Sequence, residues 1–321
     1  MRKLGCLVLL IAGLVIGAIV AANMWAGAGP ADKPVSVVVP AGASLARAAT
    51  ALEQAGAVRS AHRFRLLARV FGGGGSVKAG EYEIPAHASA KQILDLLEEG
   101  KVRQRLVVVP EGLPSVMVHD ALMKADGLTG RVPVPAEGSV LPDGYAYQRG
   151  DTRASVLARM QSAMRDYLAQ AWGKRSKNSA VTSPEQAIIL ASIVEKETGK
   201  PAERRTVAAV YGNRLRLHMP LQADPTVIYP ITRGRPLGRR IKQSELHARN
   251  GYNTYASAGL PVGPIANPGR ASIDAVLDPA DSQALYFVAD GTGGHVFADT
   301  LPEHNANVRK WYAIRKARGE M

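Results

Sequence analysis

Cysteine is almost absent from this sequence of 321 residues, in which Cys6 is the only one. No disulfide can form within the chain, and a metal site built on several cysteines is excluded. Aromatic residues make up only 5%, and acidic residues are also few, 27 against 40 lysines and arginines. The resulting formal net charge of +13 suits an anionic partner such as nucleic acid, a membrane face or an acidic polymer.

The basic residues are dispersed, with small clusters at Arg204–Arg205 and Arg233–Arg240. Nucleic-acid-binding modules usually carry a concentrated basic stripe or a basic run interleaved with aromatic residues, and neither pattern occurs here. We therefore expect no nucleic acid among the partners. With 46% hydrophobic residues the chain has the composition of a globular protein, and its length suffices for two or three domains.

One long apolar stretch is present, from Leu4 to Ala22, and Arg2 and Lys3 precede it. A helix needs about 20 apolar residues to cross a bilayer, and the preceding positive charges place the N-terminus in the cytoplasm. We therefore predict a cytoplasmic tip and single-pass anchor in residues 1–25, a linker in 26–34 and an extracytoplasmic body. A cleaved signal peptide is the alternative, although its apolar core is usually only about 7–15 residues long.

The predicted body is an α+β protein. In residues 35–112 a strand, two helices and a second strand follow one another, from Val35–Val39 to Lys78–Pro85, and this βααβ order resembles a LysM-like module. Residues 113–180 are less regular and are predicted to be a connector. Residues 181–321 combine helices, loops and a glycine-rich hairpin, which predicts a mixed α+β domain.

The segment from Thr182 to Gly199 has the pattern of a single helix with both ends marked. Ser183 is a good N-cap, and Pro184 suits the first helical position. Gly199 and Pro201 supply the stop. This helix is the element around which the last 140 or so residues are expected to pack, given typical domain sizes.

Two carboxylates lie near the end of this helix on different faces. Glu197 follows Leu190, Ile193 and Val194 by seven, four and three residues, so it lies at the end of an apolar stripe. Partial desolvation there favours the acid form of a carboxyl and makes it a candidate general acid. Glu195 lies on a smaller, more polar face. Spacing alone also allows both glutamates to be solvated, as most glutamates are.

Histidines at 295 and 304, with Asp299 and Glu303 nearby, are the only arrangement that suggests a metal site. They lack the HExxH spacing and a third strong ligand. We therefore expect neither a metal nor a cofactor.

Several longer motifs follow one another from residue 183 to residue 307: SIVEKET, NRL, LQADPTVIY, YNTY, GLPVGPIANPG and YFVADGTGGHVFADTLPEHN. In this combination the chain resembles the endolytic murein transglycosylase family (MltG, YceG-like), over most of its length from about residue 35. The resemblance implies a LysM-like domain followed by a lysozyme-like catalytic domain in residues 181–321. It also implies membrane-anchored cleavage of nascent glycan strands in bacterial peptidoglycan.

The chemistry that the resemblance implies needs a single carboxylate. We assign the family's catalytic glutamate, which lies in SIVEKET, to Glu197, because Glu197-Thr198 is similar to the Glu-Ser pair of lysozyme-like transglycosylases. The acid would protonate the oxygen of the MurNAc-GlcNAc β-1,4 bond. Its carboxylate would then take the proton of the C6 hydroxyl of the same N-acetylmuramic acid, which closes a 1,6-anhydro ring with the advantage of an intramolecular nucleophile. Glu195 is expected to orient or polarise the site.

Gln222, Asp224 and Thr226 lie close together beside Pro220 and Pro225 in a predicted loop that the prolines stiffen. These side chains could bind sugar hydroxyls and N-acetyl groups. The alternative is a turn that satisfies its own polar groups.

A second group of candidate substrate ligands is Tyr252, Asn253, Thr254 and Tyr255, whose flat rings and polar tips suit carbohydrate. Plain packing is the alternative for them. Asn213, at the end of the next helix, is a further candidate.

The complete prediction is a single-pass inner-membrane lyase with a periplasmic body, which acts on peptidoglycan and has the membrane and peptidoglycan synthases as partners. Two alternatives remain open at this point. One is a non-catalytic, glycan-binding scaffold of the cell-wall machinery. The other is a muramidase that uses water and leaves reducing ends.

Overall fold

The computed structural model describes residues 2–72 and 74–320, with only the backbone considered for residues 2–8. Met1 of the predicted cytoplasmic tip lies outside the described residues. The chain forms two compact units: the first runs to Arg105 and includes Ala146–Asp151, and the second contains Leu106–Tyr145 and the residues from Thr152 onwards. The predicted boundaries at 112 and 180 do not coincide with these units, because most of the predicted connector belongs to the second unit.

In its described residues, the first unit consists of four helices and a pair of antiparallel strands that two of the helices separate in sequence. Its elements are α1 (Arg2–Ala26), β1 (Val35–Val39), α2 (Leu45–Gln54), α3 (Ala61–Phe71), β2 (Gly80–Ile84) and α4 (Ala90–Glu99). Strands β1 and β2 are antiparallel, with Val35 opposite Ile84 and Val39 opposite Gly80. The predicted βααβ order is confirmed in β1-α2-α3-β2, whereas the likeness to a LysM module stays a prediction.

Local sequence explains where these helices begin. Ser44, Ser60 and Ser89 are the N-caps of α2, α3 and α4, and each hydroxyl accepts the backbone N–H three residues later. The apolar side chains of the helices and of the inner strand face then share one core. Its fully buried members include Tyr82 and Ile93.

Helix α1 contains the apolar stretch that the sequence predicts to cross a membrane. Within the described part of the chain, it is the one helix whose length and composition would allow a span, and that span runs from Leu9 to Ala26. Its last turns pack on the rest of the first unit: Trp25 is buried, and its ring stacks on Phe71 with 6.1 Å between centroids.

The second unit is largely helical. Its elements are α5 (Ser115–Lys124), α6 (Arg153–Gly173), α7 (Pro184–Glu197), α8 (Arg204–Arg216), α9 (Asp224–Thr232), α10 (Gln243–Leu246), α11 (Arg270–Leu277), β5 (Tyr286–Ala289), β6 (His295–Ala298) and α12 (Leu301–Ala317). The chain passes between the units within β3 (Arg105–Val108) and β4 (Gly144–Tyr147). Strands β5 and β6 form an antiparallel hairpin.

Helix α7 is the centre of the second unit. It packs against α6, α8, α9 and α11, and its residues from Ile193 back to Ala187 are mostly buried. The predicted start is confirmed, because the Ser183 hydroxyl accepts the N–H of Gln186 and Pro184 occupies the first turn. The helix ends at Glu197, since Thr198 is extended.

The loop predicted for Gln222, Asp224 and Thr226 is wrong from Asp224 onwards, where helix α9 begins. Pro225 lies in the first turn of α9, and a proline there gives up no helical hydrogen bond. A second proline, Pro230, lies inside the helix, which ends two residues later with Arg233 in the left-handed conformation. Two prolines in one segment therefore did not exclude a helix.

Candidate active site

A cavity of about 310 Å³ opens beside the C-terminal end of α7. It is polar, and the residues around it come from α7, α8, the start of α9, two loops, β5 and α12. They are Glu197, Tyr211, Arg214, Leu221, Gln222, Asp224, Tyr255, Phe287 and His304. Four of the predicted site residues are among them, namely Glu197, Gln222, Asp224 and Tyr255.

Glu197 is the most perturbed carboxyl of this cavity. Its pKa is raised to about 7, chiefly by burial and also by the negative charge of Asp224, while a hydrogen bond from the Tyr211 hydroxyl acts in the opposite direction. A carboxyl with this pKa is partly protonated at neutral pH, so it can both give and take a proton there. The desolvation predicted from the apolar stripe is thus confirmed.

Asp224 is the second carboxylate of the cavity. Its side chain is exposed, and Oδ1 accepts the hydroxyl of Tyr255 at 2.6 Å. It is also the first residue of α9, where the helix dipole favours a negative charge. This hydrogen bond and the helix start hold one oxygen of Asp224 in place while the side chain still faces solvent.

Arg214 of α8 forms one wall of the cavity, and its side chain is almost fully buried. Its guanidinium donates to the backbone carbonyls of Leu285 at 2.7 Å and Leu221 at 2.9 Å, and to Oε1 of Gln222 at 3.3 Å. Gln222 has a φ of 54°, a conformation that non-glycine residues adopt rarely and that is often found at functional sites. The cavity therefore has a rigid cationic wall.

His304 completes the cavity from α12. Its ring stacks on Tyr286, with 5.2 Å between centroids. Burial and the charge of Arg214 lower the pKa of His304, so the imidazole is neutral at neutral pH. Its Nδ1 atom is buried and has no hydrogen-bond partner among the residues that the structure describes. A polar atom in this position is suited to a hydrogen bond with a ligand.

Glu195 lies on another side of α7 and outside the cavity. Its side chain is only 7% exposed, and Oε1 is 3.9 Å from Nη2 of Arg204. Its other oxygen accepts the N–H of Gly269 at 2.9 Å, immediately before α11. The alternative of a solvated side chain is therefore wrong for Glu195, and its role in orienting or polarising the site stays a prediction. Its contacts in the structure fix the start of α11.

Thr226 and Thr254 are both buried and lie away from the cavity surface. Their hydroxyl oxygens are 2.8 Å apart, and Thr226 also donates to the carbonyl of Ala223. Asn253 is buried too, and its amide donates to three backbone carbonyls, those of Glu245, Leu246 and Ala248. These three residues hold loops together behind the cavity.

Tyr252 and Asn213 also do not line the cavity. The ring of Tyr252 packs on Tyr229, with 4.8 Å between centroids. The amide of Asn213 donates to the carbonyls of Ser282 and Ala284, both at 2.9 Å. Both residues support the walls from behind.

Five cavity residues were not among the candidate site residues: Tyr211, Arg214, Leu221, Phe287 and His304. The helical spacing of Tyr211 predicts a core residue, and Tyr211 does belong to the core of the second unit. Arg214 lies in the motif NRL, and His304 lies in PEHN at the end of the last quoted motif. Membership in these motifs was the one sequence signal that could have identified them as site residues. His295, the other histidine considered for a metal, has Nδ1 2.8 Å from Glu203, and no group of three metal-ligating side chains occurs within residues 2–72 and 74–320.

Comparisons with known proteins show which family this chain is similar to. A model of the YceG-like family matches residues 37–310. An endolytic murein transglycosylase of Bacillus subtilis is 30% identical over 227 residues, which cover 71% of this chain and 59% of that protein. One of Streptococcus pneumoniae strain D39 is 27% identical over 326 residues, with 86% of this chain and 58% of that protein covered.

One solved structure is similar to this chain over most of the length of both. The crystal structure of a yceG-like protein of Listeria monocytogenes aligns with a TM-score of 0.53 and 28% identity, and the alignment covers 85% of this chain and 98% of that one. This chain spans about three fifths of the length of the curated relatives it matches. Since the family model covers most of the sequence, this chain belongs to the YceG-like family.

Proposed function

We propose that this protein is a lytic transglycosylase that cleaves the glycan strands of murein, with Glu197 as its acid and base. The observation that carries the proposal is the pKa of Glu197, raised to about 7 by burial in a polar cavity. The relatives named endolytic murein transglycosylases support the reaction class and the substrate.

In the first step, protonated Glu197 gives its proton to the glycosidic oxygen between N-acetylmuramic acid and N-acetylglucosamine, and the C1–O bond breaks. In the second step, the Glu197 carboxylate takes the proton of the C6 hydroxyl of the same muramic acid. The C6 oxygen attacks C1 and closes the 1,6-anhydro ring, so atoms and charges balance without water. A group with a pKa near ambient pH serves both steps well.

The remaining cavity residues have roles that follow from their charge. We assign to Asp224 the stabilisation of the positive charge that develops at C1, because it is a carboxylate held by the Tyr255 hydroxyl and bond cleavage gives the sugar oxocarbenium character. Gln222 and neutral His304 are suited to hydrogen bonds with sugar hydroxyls or N-acetyl groups. Thr226, Asn253, Thr254, Tyr252 and Asn213 act by holding the cavity walls, and Glu195 by fixing the start of α11.

The membrane anchor is part of the same proposal. Helix α1 contains an apolar span from Leu9 to Ala26, and Arg2 and Lys3 before it favour a cytoplasmic N-terminus. We propose a single-pass protein of the inner membrane, with both units in the periplasm beside nascent glycan strands and the synthases that make them.

A muramidase that uses water is the second candidate, and Asp224 is the observation that favours it. Glycosidases that use water need a second carboxylate near the first, and Asp224 lines the same cavity as Glu197. It would then serve as base or nucleophile.

The test is digestion of purified murein by the full-length protein in detergent, with mass spectrometry of the new ends. Full length is needed because Trp25 of α1 belongs to the core of the first unit. We expect 1,6-anhydro-muramic ends from the wild type and none from Glu197→Gln. Reducing ends would favour the muramidase. Absence of cleavage by the folded wild type, on crosslinked murein and on isolated strands, would favour the scaffold.

A further inference from the structure

The end of α1 and helix α3 border a cavity of about 450 Å³ in the first unit. Val20 and Met24 of α1 and Leu67 of α3 contribute apolar walls, and Arg59 and Arg63 also line the cavity. Both arginines are exposed. The combination of apolar walls and two cations suits an amphiphile with a negatively charged head.

The position of this cavity along α1 coincides with the expected edge of the membrane. The apolar span of α1 ends at Ala26, and Asn23, which lies within one helical turn of that end, lines the cavity. Trp25 follows at the depth where tryptophan is enriched in membrane proteins, and it stacks on Phe71 of α3. Helix α3 therefore lies where hydrocarbon gives way to lipid headgroups.

The surface of α3 has the character of a helix that lies in a membrane interface. Leu66, Val70 and Phe71 are 48%, 72% and 42% exposed, although each is large and apolar. Leu66 and Val70 follow Arg63 by three and seven residues, so they continue the helix face that borders the cavity. Exposed apolar residues combined with arginines are typical of interfacial amphipathic helices.

The stretch of chain that contains α3 carries charge of one sign. Arg59, Arg63, Arg65 and Arg69 fall in a stretch from Gln54 to Gly80 that contains no acidic residue. Within the described part of the chain, neither Arg59 nor Arg63 has an ion-pair partner. Two unpaired guanidinium groups near a membrane surface attract anionic headgroups.

We propose that this cavity is a binding site for an anionic phospholipid of the outer leaflet, with Arg59 and Arg63 on the phosphate and the acyl chain along α1. Leu66, Val70 and Phe71 then lie in the interface beside the bound lipid. The proposal rests on the proposed membrane anchoring by α1, and it is independent of the cleavage reaction. Its consequence is a fixed height and orientation of the first unit on the membrane.

The first experiment measures lipid selectivity of the full-length protein. The protein is inserted into nanodiscs of phosphatidylcholine with one fifth phosphatidylglycerol, released, and analysed by native mass spectrometry for retained lipid. We expect the wild type to retain phosphatidylglycerol at least fivefold over its share in the disc. The double variant Arg59→Gln/Arg63→Gln should lose this enrichment, whereas the matched variant Arg65→Gln/Arg69→Gln, outside the cavity, should keep it.

The second experiment locates α3 in the bilayer. In a Cys6→Ser background, a spin label is attached to Val70→Cys or to Arg65→Cys, which lies about 140° around the helix at 3.6 residues per turn. We expect the label at 70 to be accessible to oxygen and shielded from a water-soluble nickel reagent, and the label at 65 to show the reverse.

Several outcomes would overturn the lipid site. One is equal loss of enrichment in both arginine variants, which would mean unspecific attraction by charge. Another is a label at 70 that is fully exposed to the nickel reagent. A wild type that inserts and cleaves isolated glycan strands but shows no enrichment would remove the lipid site and leave the proposed function intact. Failure to insert at all would remove the anchor instead.

Discussion

The two sides of α7 on which Glu195 and Glu197 lie differ in the charge that faces each carboxylate. Glu195 is buried with Arg204 at 3.9 Å and the N–H of Gly269 at 2.9 Å. Glu197 is also removed from water, but the charge that acts on it is the negative one of Asp224. Both are withdrawn from solvent, and burial together with the charge of Asp224 raises the pKa of Glu197 to about 7. Burial of a glutamate thus indicates a structural ion pair or a proton donor according to its partner.

The largest effect is expected from Glu197→Gln, which keeps the shape of the side chain and removes its proton chemistry. General acid or base catalysis contributes about 10²–10⁴-fold to a rate, and Glu197 serves in both roles. We therefore expect at least about a 10³-fold loss of the rate of anhydro-end formation. Glu185→Gln, in the exposed first turn of α7, is the control. If the rate of anhydro-end formation by Glu197→Gln were within tenfold of the wild-type rate, Glu197 would not be the acid and base, and its difference from Glu195 would have no catalytic meaning.

Glu195→Gln should instead act on stability. It leaves the charge of Arg204, which is 11% exposed, without its carboxylate, and breaking a buried pair from one side costs about 3 kcal/mol. We expect a free energy of unfolding lower by about that amount, measured by urea denaturation. Adding Arg204→Met should recover part of the loss. No loss in the single variant would show that the pair contributes nothing.

The pH dependence of stability provides a third test. The pKa of Glu197 is raised from 4.5 to about 7, so between these values the folded protein keeps a proton that the unfolded chain has lost. Stability from this group is present below pH 4.5 and falls as pH rises towards 7, by at most about 3 kcal/mol. Thermal unfolding should show Glu197→Gln gaining on the wild type from pH 4.5 to pH 8. A constant difference would contradict the raised pKa.

The smallest effects concern the pH at which activity is lost. Because the first step needs protonated Glu197, kcat/KM should fall above pH 7. Asp224→Asn removes a negative charge that raises the pKa of Glu197, so this limb should move to lower pH. Tyr211→Phe removes a hydrogen bond that lowers it, so the limb should move to higher pH. Shifts in the same direction would exclude electrostatic control by these two groups.

Periodicity and capping residues predicted much of the fold. The start of α7, the βααβ order of the first unit and the hairpin of β5 and β6 are all where the sequence indicated. These features depend on neighbours in sequence, which capping and apolar spacing report directly. The sequence does not predict α9, because two prolines in one segment favour a loop, whereas the structure accommodates Pro225 in the first turn and Pro230 near the end of the helix.

The candidate site was predictable only in part. The apolar stripe of α7 favoured Glu197 only together with the family resemblance of SIVEKET, and the motif around Asp224 supplied a second cavity residue. The burial of Thr226, Thr254 and Asn253 depends on how loops fold over one another, which polar composition does not report. Arg214 and His304 enter the cavity from elements far apart in sequence, so only the assembled fold brings them to Glu197.

The return of residues 146–151 to the first unit has a consequence for protein engineering. Glu81 is held by Arg105 at 3.0 Å and by Arg149 at 3.4 Å, and Arg149 comes from that short returning segment. A gene fragment that stops after Arg105 therefore omits one of the cations around a carboxylate that is only 5% exposed. Transplanting the first unit into another protein requires a circularly permuted or linker-closed version that carries residues 146–151 along.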